Sequence, residues 1–93
     1  MKRFDPSKVY GGPVRFRGKQ CRAIAYAPTK KRLLEITGQS AKTFRDYWCD
    51  TGNVAELTIA NANRNTGAQE GVFVNVDGPI GKDYVHACEG ECN

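Results

Sequence analysis

The feature that most constrains this chain is an alternating pattern interrupted by a glycine. Residues 14–17 alternate apolar and basic side chains, Gly18 and Lys19 follow, and an extended pattern resumes over residues 20–27. Two extended runs separated by a two-residue turn predict an antiparallel β-hairpin. Because side chains alternate between the faces of a strand, the hairpin has a mostly apolar face and a face rich in arginine. The chain is therefore expected to build a sheet around this hairpin.

The turn assignment sets the predicted register of the hairpin. With Gly18 first in a two-residue turn, Arg15 lies directly opposite Arg22. Like charges facing each other across a strand pair destabilise it, and an anion bound between them would remove that cost. A shift of the loop by one residue separates the two arginines, so this indication of an anion site depends on the turn.

Two short helices are predicted to follow the hairpin. Thr29 suits the N-cap and Gly38 the end of the first, and Ser40 suits the N-cap of a second helix over residues 41–49. The second helix carries an apolar stripe that should pack on apolar residues of the first, with Ala41, Phe44 and Trp48 facing Leu33, Leu34 and Ile36.

The remaining segments complete an α+β fold. Residues 54–63, capped by Asn53, favour a helix, although Leu57 and Ile59 also alternate as in a strand. Residues 71–76 are β-branched and aromatic, end at the turn Asp77-Gly78-Pro79, and should form a third antiparallel strand. Residues 84–85 are expected to add a short edge.

The chain of 93 residues has the length of one domain. We predict a small antiparallel sheet, made of the N-terminal hairpin and the C-terminal strand, packed on two or three short helices. Residues 1–13 are expected to be an irregular lead-in, and residues 86–93 a frayed tail. No apolar run approaches the roughly 18 residues of a membrane span, and the basic start is not followed by an apolar region. These features predict a soluble cytoplasmic protein without a membrane partner.

Charge is distributed unevenly along the chain. The net charge of +4 divides into +8 over residues 1–35, with ten basic and two acidic residues, and −4 over residues 36–93. Lys30, Lys31 and Arg32 occupy the first turn of the first predicted helix, where the helix dipole disfavours positive charge. The pattern favours an anionic partner for the first third of the chain. The alternative is that the two halves neutralise each other after folding.

Residues 33–48, LLEITGQSAKTFRDYW, resemble the helix-turn-helix of small bacterial and phage DNA-binding proteins. Gly38 matches the turn glycine of that family and Ser40 the cap of its second helix, whereas Gln39 differs from the apolar residue usual in the turn. The resemblance implies that the second helix enters a major groove, with the residues nearest to bases or phosphates being Ser40, Lys42, Thr43 and Arg45. More broadly, the layout resembles small accessory proteins of phages and mobile elements.

The sequence contains no recognisable motif for catalysis or cofactor binding. The single histidine, His86, has no nucleophile placed beside it, and no phosphate-cradling glycine loop occurs. His86, Cys88 and Cys92 are zinc-ligand types, but their spacing favours an incidental tail over a metal site. Cys21 and Cys49 are expected to be small reduced core residues. We therefore predict no enzyme, no metal and no cofactor.

The basic third of the chain predicts a small nucleic-acid-binding protein, of phage or mobile-element type. The expected contacts lie on the hairpin and the two helices: Arg15, Arg17, Lys19, Arg22, Lys30, Lys31, Ser40, Lys42 and Arg45. Tyr10 or Tyr26 could stack on bases if the target, DNA or RNA, is single-stranded. The alternative is a phage-type inhibitor or adaptor, for example an anti-CRISPR, whose basic face binds a host protein or ribonucleoprotein complex.

Overall fold

A computed structural model describes residues 4–76 and 83–92, which form an antiparallel sheet packed with helices. Within this part of the chain the sheet has five strands in the order β3-β1-β2-β4-β5. The strands are β1 (Tyr10–Phe16), β2 (Lys19–Tyr26), β3 (Cys49–Asp50), β4 (Gly71–Asn75) and β5 (Tyr84–Ala87). The helices are α1 (Lys30–Thr37), α2 (Ala41–Tyr47) and α3 (Val54–Arg64). The predicted small α+β fold is confirmed.

The three helices begin at the predicted caps. The side chains of Thr29, Ser40 and Asn53 each accept a hydrogen bond from a backbone N–H in the first turn of α1, α2 and α3. Gly38 ends α1 in the left-handed conformation, with a φ of 69°. Residues 54–63 are therefore helical rather than extended. The Asn53 cap accepts a hydrogen bond from a backbone N–H of the first turn, which would otherwise have no partner within the helix.

Several predicted boundaries are wrong. β1 already begins at Tyr10, inside the expected irregular lead-in, and β5 includes residues 86–87 of the expected frayed tail. An isolated bridge between Phe16 and Cys92 holds the tail further along. α2 ends at Tyr47, because Trp48 and the short strand β3 turn away to pair with β1. The predicted turn at residues 77–79 lies outside the described residues.

The hairpin turn consists of Arg17 and Gly18, which have φ values of 51° and 78°. Positive φ at both central residues is the property of a type I′ turn, in which glycine is favoured at the second position. Phe16 therefore pairs with Lys19, and Arg15 lies opposite Gln20. The predicted pairing of Arg15 with Arg22 is wrong, since Arg22 lies opposite Pro13. The register moves by two residues, so each side chain stays on its predicted face.

The sheet separates two apolar layers. One face, covered by α1 and α2, carries the larger core, which includes Val14, Ala23, Ala25 and Val74. The other face, covered by α3, packs Ile24, Tyr26 and Phe73 against Ala60. A strand that is covered on both faces must be apolar on both sides. β2 meets this requirement from Ala23 to Tyr26, the residues that follow Arg22.

Trp48 joins α2 to β1. Its ring packs beside Phe44, with centroids 5.8 Å apart, and its indole N–H donates to the Pro13 carbonyl at 3.2 Å. The ring lies directly against Gly12, where an added Cβ would come under 3.0 Å from three ring atoms. Phe44 and Trp48 are buried as predicted, whereas Ala41 is exposed. α2 thus packs on β1, and Phe44 and Trp48 share the larger core with Leu33 and Ile36 of α1.

The four cysteines are free thiols in different surroundings. Cys21 is half-buried, but Cys49 is exposed, so the prediction that it belongs to the core is wrong. Cys88 is exposed and Cys92 is buried. Burial, together with the nearby Glu91 and Cys21, raises the pKa of Cys92 to about 11.

Brief alkylation of the native protein at pH 8 is expected to label Cys92 at least about tenfold more slowly than Cys88, because the thiolate is the reactive form and Cys92 is buried and protonated. Mass spectrometry after cleavage at Glu89 and Glu91 separates the two thiols. Labelling in denaturant is the control and should remove the difference. Equal labelling in native buffer would show that the tail is frayed after all.

No helix in residues 4–76 or 83–92 is long and apolar enough to cross a membrane.

Candidate nucleic-acid interface

Arg22 is engaged inside the fold. Its guanidinium donates through Nε and Nη2 to the two carboxylate oxygens of Glu56, at 2.7 and 3.0 Å. Glu56 lies on α3 and is fully buried, and it also accepts hydrogen bonds from the hydroxyls of Thr51 and Tyr84. Gly11 leaves the space that this arrangement needs, since an added Cβ would come within 2.6 Å of the Arg22 guanidinium. Arg22 therefore supports the packing of α3 on the sheet.

The protonation of Glu56 reflects a competition between burial and hydrogen bonding. Burial by itself raises the pKa of this carboxyl, but the hydrogen bonds from Arg22, Thr51 and Tyr84 outweigh it, and the net pKa is lowered. The paired Glu56 carboxylate raises the pKa of Arg22 in turn. Both groups are charged at neutral pH, so the positive charge of Arg22 is neutralised within the protein.

Arg32 is also neutralised by partners within the chain. It contacts carboxylates from three different segments, with Glu70 at 2.7 Å, Glu35 at 3.2 Å and Glu89 in the tail. Hydrogen bonds from Arg32 to Glu70, then to Glu89 and Glu35, raise the pKa of this arginine. The unfavourable charge in the first turn of α1 is thus partly explained by tertiary ion pairs.

The hairpin end carries three exposed cations, of which Arg17 attracts the carboxylate of Glu91. Arg15, Arg17 and Lys19 are exposed and form no ion pair within the described part of the chain. The guanidinium of Arg17 lies over the Phe16 ring, 4.8 Å from its centroid. These residues are close in sequence and extend from the same end of the sheet, so their fields add.

The predicted contacts on the helices are not all brought to that end. Lys30 and Lys31 begin α1, which follows the far end of β2, and an eight-residue strand is roughly 25 Å long. On α2, Lys42 is exposed, while Arg45 lies 3.3 Å from the carboxylate of its neighbour Asp46. An exposed pair of this kind contributes little free energy, so Arg45 can exchange partners readily.

A groove of about 370 Å³ separates the hairpin from α2. The hairpin–helix groove is lined by Pro13, Val14, Arg15, Gln20, Thr43 and Tyr47. Thr43 and Tyr47 are four residues apart and so lie on one side of α2. Tyr47 is 67% exposed and, with Val54, is one of the two exposed large hydrophobic side chains of the described residues. An exposed aromatic ring and an arginine without an ion pair in the described residues thus line the same groove.

Ser40 does not line the groove but forms hydrogen bonds with Thr43, which does. Its hydroxyl accepts from the backbone N–H of Thr43 at 3.1 Å and donates to the Thr43 hydroxyl at 2.9 Å. Ser40, one of the four residues that the helix-turn-helix resemblance places nearest to bases or phosphates, is therefore occupied as the cap of α2. Its neighbour Thr43, not Ser40, lines the groove.

The tyrosines expected to stack on bases are in the core. Tyr26 is fully buried, and its hydroxyl donates to the Ala68 carbonyl at 3.1 Å and accepts from Asn63 at 2.7 Å. Tyr10 is buried between Phe4 and Phe44. Neither can meet a base, so that prediction is wrong. Tyr47 was not among the contacts predicted from the sequence. Its position directly before Trp48 places it at the border of the apolar stripe formed by Ala41, Phe44 and Trp48, and this was the available signal.

The outer edge of β1 is covered at several points. β3 pairs with Tyr10 and Gly11, the Trp48 indole occupies the Pro13 carbonyl, and Phe16 bridges to Cys92. Covered edges disfavour the addition of a partner strand. The groove therefore presents side chains rather than an open strand edge.

The tail residues with zinc-ligand chemistry are dispersed. His86 stacks on Phe73 with ring centroids 4.9 Å apart, while Cys92 is buried on the face that α1 and α2 cover. Within residues 4–76 and 83–92, no three His, Cys, Asp or Glu side chains are grouped closely enough to hold a metal ion.

No family model, no curated protein and no solved structure matches the chain.

Proposed function

We propose that this protein binds nucleic acid through the hairpin–helix groove and the basic hairpin end beside it. The observation that carries the proposal is that Arg15, which has no ion-pair partner in the described residues, and the exposed ring of Tyr47 line one groove. Arginine binds phosphate through a fixed fork of donors, and tyrosine offers a flat face to a base. The two residue types together suit a nucleotide chain better than an isolated anion.

The surrounding charges favour a polyanion. Arg17 and Lys19 extend the positive surface from Arg15 to the tip of the hairpin, and Lys42 adds a charge on α2. Arg22 and Arg32 are omitted from the proposed interface because carboxylates of the chain already neutralise them. About three or four phosphate contacts remain, and release of the condensed counterions would drive binding.

The proposal differs from insertion of α2 into a major groove. α2 has only seven residues, is held flat against β1 by Phe44 and Trp48, and carries Asp46 on its exposed surface. Negative charge at that surface opposes close contact with phosphate. The groove beside α2 therefore suits the contact better than the outer face of the helix.

Fluorescence anisotropy with labelled 12-nucleotide DNA and RNA strands tests the proposal. Affinity is expected to fall steeply between 50 and 200 mM salt, with a slope of log K against log salt of about −2 to −3. The double change Arg15→Gln and Arg17→Gln should reduce that slope by about 1 to 1.5. Lys31→Gln removes one exposed charge at the far end of β2 and is the matched control, with little change expected.

Absence of binding at 50 mM salt, relative to a protein of equal size and charge, would contradict the proposal. The basic hairpin end would then be better explained by the alternative, contact with an acidic surface of a protein partner. An unchanged salt slope in the double variant would place the interface elsewhere.

A further inference from the structure

We infer that the hairpin–helix groove accepts an unpaired nucleotide, with its base stacked on Tyr47, so that the target is single-stranded. This inference rests on the proposed function and adds its substrate class. A base within a duplex is already stacked on both faces and presents only its edges. An exposed aromatic ring therefore adds affinity only for a base that is free to leave its stack.

The dimensions of the groove suit one nucleotide. Its volume of about 370 Å³ is near the lower end of the range for sites that bind small organic molecules. Pro13 and Val14 supply apolar surface, and Gln20 and Thr43 supply both donors and acceptors. A base edge can pair with these groups in more than one orientation, so weak base preference is expected.

Tyr47 is held in place by the core beneath it. The next residue, Trp48, is fixed by its hydrogen bond to Pro13, a residue of the same strand that carries Arg15. Phe44 packs against Tyr10 with ring centroids 5.4 Å apart. The backbone that carries the aromatic ring and the strand that carries the cation are thus ordered before binding, which lowers the entropic cost of association.

Arg15 lies at the same groove, where the phosphate of a stacked nucleotide can reach it. Its cross-strand neighbour is Gln20, a neutral residue, so the guanidinium has no charged residue directly opposite on β2. A stacked base on Tyr47 and its phosphate on Arg15 would be held together, and this arrangement separates the groove from a simple electrostatic surface.

The test compares three probes of equal length: a dT12 strand, a 12-residue abasic strand and a 12-base-pair duplex. The abasic strand keeps the phosphates and removes the bases. The native protein is expected to bind dT12 about tenfold more tightly than the abasic strand. Tyr47→Ala should remove that difference and leave the affinity for the abasic strand unchanged, while Tyr47→Phe should keep it.

Val54→Ala is the matched control, since Val54 is 76% exposed on α3 and does not line the hairpin–helix groove. It should leave all three affinities unchanged. The same comparison with rU12 shows whether RNA or DNA is preferred, and Tyr47→Ala should weaken whichever strand binds more tightly. The near-ultraviolet circular dichroism of each variant checks that Trp48 keeps its packing.

Two results would overturn the inference and leave nucleic-acid binding standing: equal affinity of the native protein for dT12 and the abasic strand, or equal loss with both strands in Tyr47→Ala. Duplex binding as tight as dT12 binding, and insensitive to Tyr47, would overturn it as well. If the protein binds none of the three probes at 50 mM salt, the proposed function itself is refuted.

Discussion

Replacing Arg22 by methionine is expected to lower the free energy of unfolding by about 3 kcal/mol, because a buried carboxylate then loses its charged partner. Methionine keeps the apolar stem, so the change isolates the guanidinium. Glu56 is fully buried and, among the described residues, would retain only the hydroxyls of Thr51 and Tyr84. The Arg22 side chain is 36% exposed, so in the variant water can partly solvate the Glu56 carboxylate in place of the guanidinium. The expected decrease in the free energy of unfolding therefore lies at the low end of the range for breaking a buried ion pair.

Urea unfolding monitored by Trp48 fluorescence measures this loss. Arg15→Met is the matched control, since Arg15 is exposed, lies on the preceding strand and forms no ion pair with the described residues. It should change stability by less than about 0.5 kcal/mol. The double variant Arg22→Met with Glu56→Met should be more stable than the sum of the two single losses predicts, by at least about 1 kcal/mol.

A loss below about 0.5 kcal/mol in Arg22→Met would show that Glu56 does not depend on its partner. Additive losses in the double variant would lead to the same conclusion. In either case Arg22 would again be available for an anionic ligand, as the hairpin pattern first indicated.

Gly12→Ala is expected to lower the free energy of unfolding by about 2 to 3 kcal/mol. The added methyl group would come under 3.0 Å from three atoms of the Trp48 ring. The indole cannot move away freely, because it is buried and donates to the Pro13 carbonyl at 3.2 Å. Either α2 shifts from β1 or the tryptophan leaves its rotamer, and both cost free energy.

Gly52→Ala is the control for this change. An added Cβ at Gly52 meets nothing within 4 Å, and its φ is not in the left-handed region. Gly52→Ala should therefore leave stability nearly unchanged or slightly raised. In Gly12→Ala the Trp48 emission should also move to longer wavelength as the ring becomes exposed. Equal stability of the two variants would show that the contact between Trp48 and Gly12 is not required.

Both experiments distinguish residues that look alike in the sequence. Arg15 and Arg22 lie on paired strands with side chains on the same face of the sheet, and the pattern suggests one anion site between them. In the folded chain one is an exposed residue of a groove, and the other holds a buried carboxylate. We expect Arg15 to affect binding and Arg22 to affect stability.

The structure divides the predicted contact residues into accessible residues near the groove and residues that lie elsewhere. The hairpin contacts Arg15, Arg17 and Lys19 remain accessible, while Lys30 and Lys31 lie at the other end of β2. Tyr47 is the exposed aromatic residue of the groove, whereas Tyr10 and Tyr26 are buried. Whether an aromatic residue is exposed depends on which other segments pack over it. The periodicity of apolar residues identifies the buried face of a helix but not how much of the helix surface those segments bury.

The sequence by itself determined the features that depend on neighbouring residues. Caps at Thr29, Ser40 and Asn53, and the sorting of hairpin side chains onto two faces, follow from hydrogen bonds and alternation within a few positions. Turn geometry was ambiguous, because glycine suits both type I′ and type II′ turns. The choice between them changed which residues face each other.

Only the tertiary structure decided which charges are free and where the groove lies. Arg22 and Glu56 are 34 residues apart, and Arg32 and Glu70 are 38 residues apart. Their pairing depends on how α3 packs on the sheet and on where the chain enters β4, directly after Glu70. The groove depends on α2 docking to β1 through Trp48 and Gly12. Such contacts are selected by shape and burial across the whole fold, which no local pattern specifies.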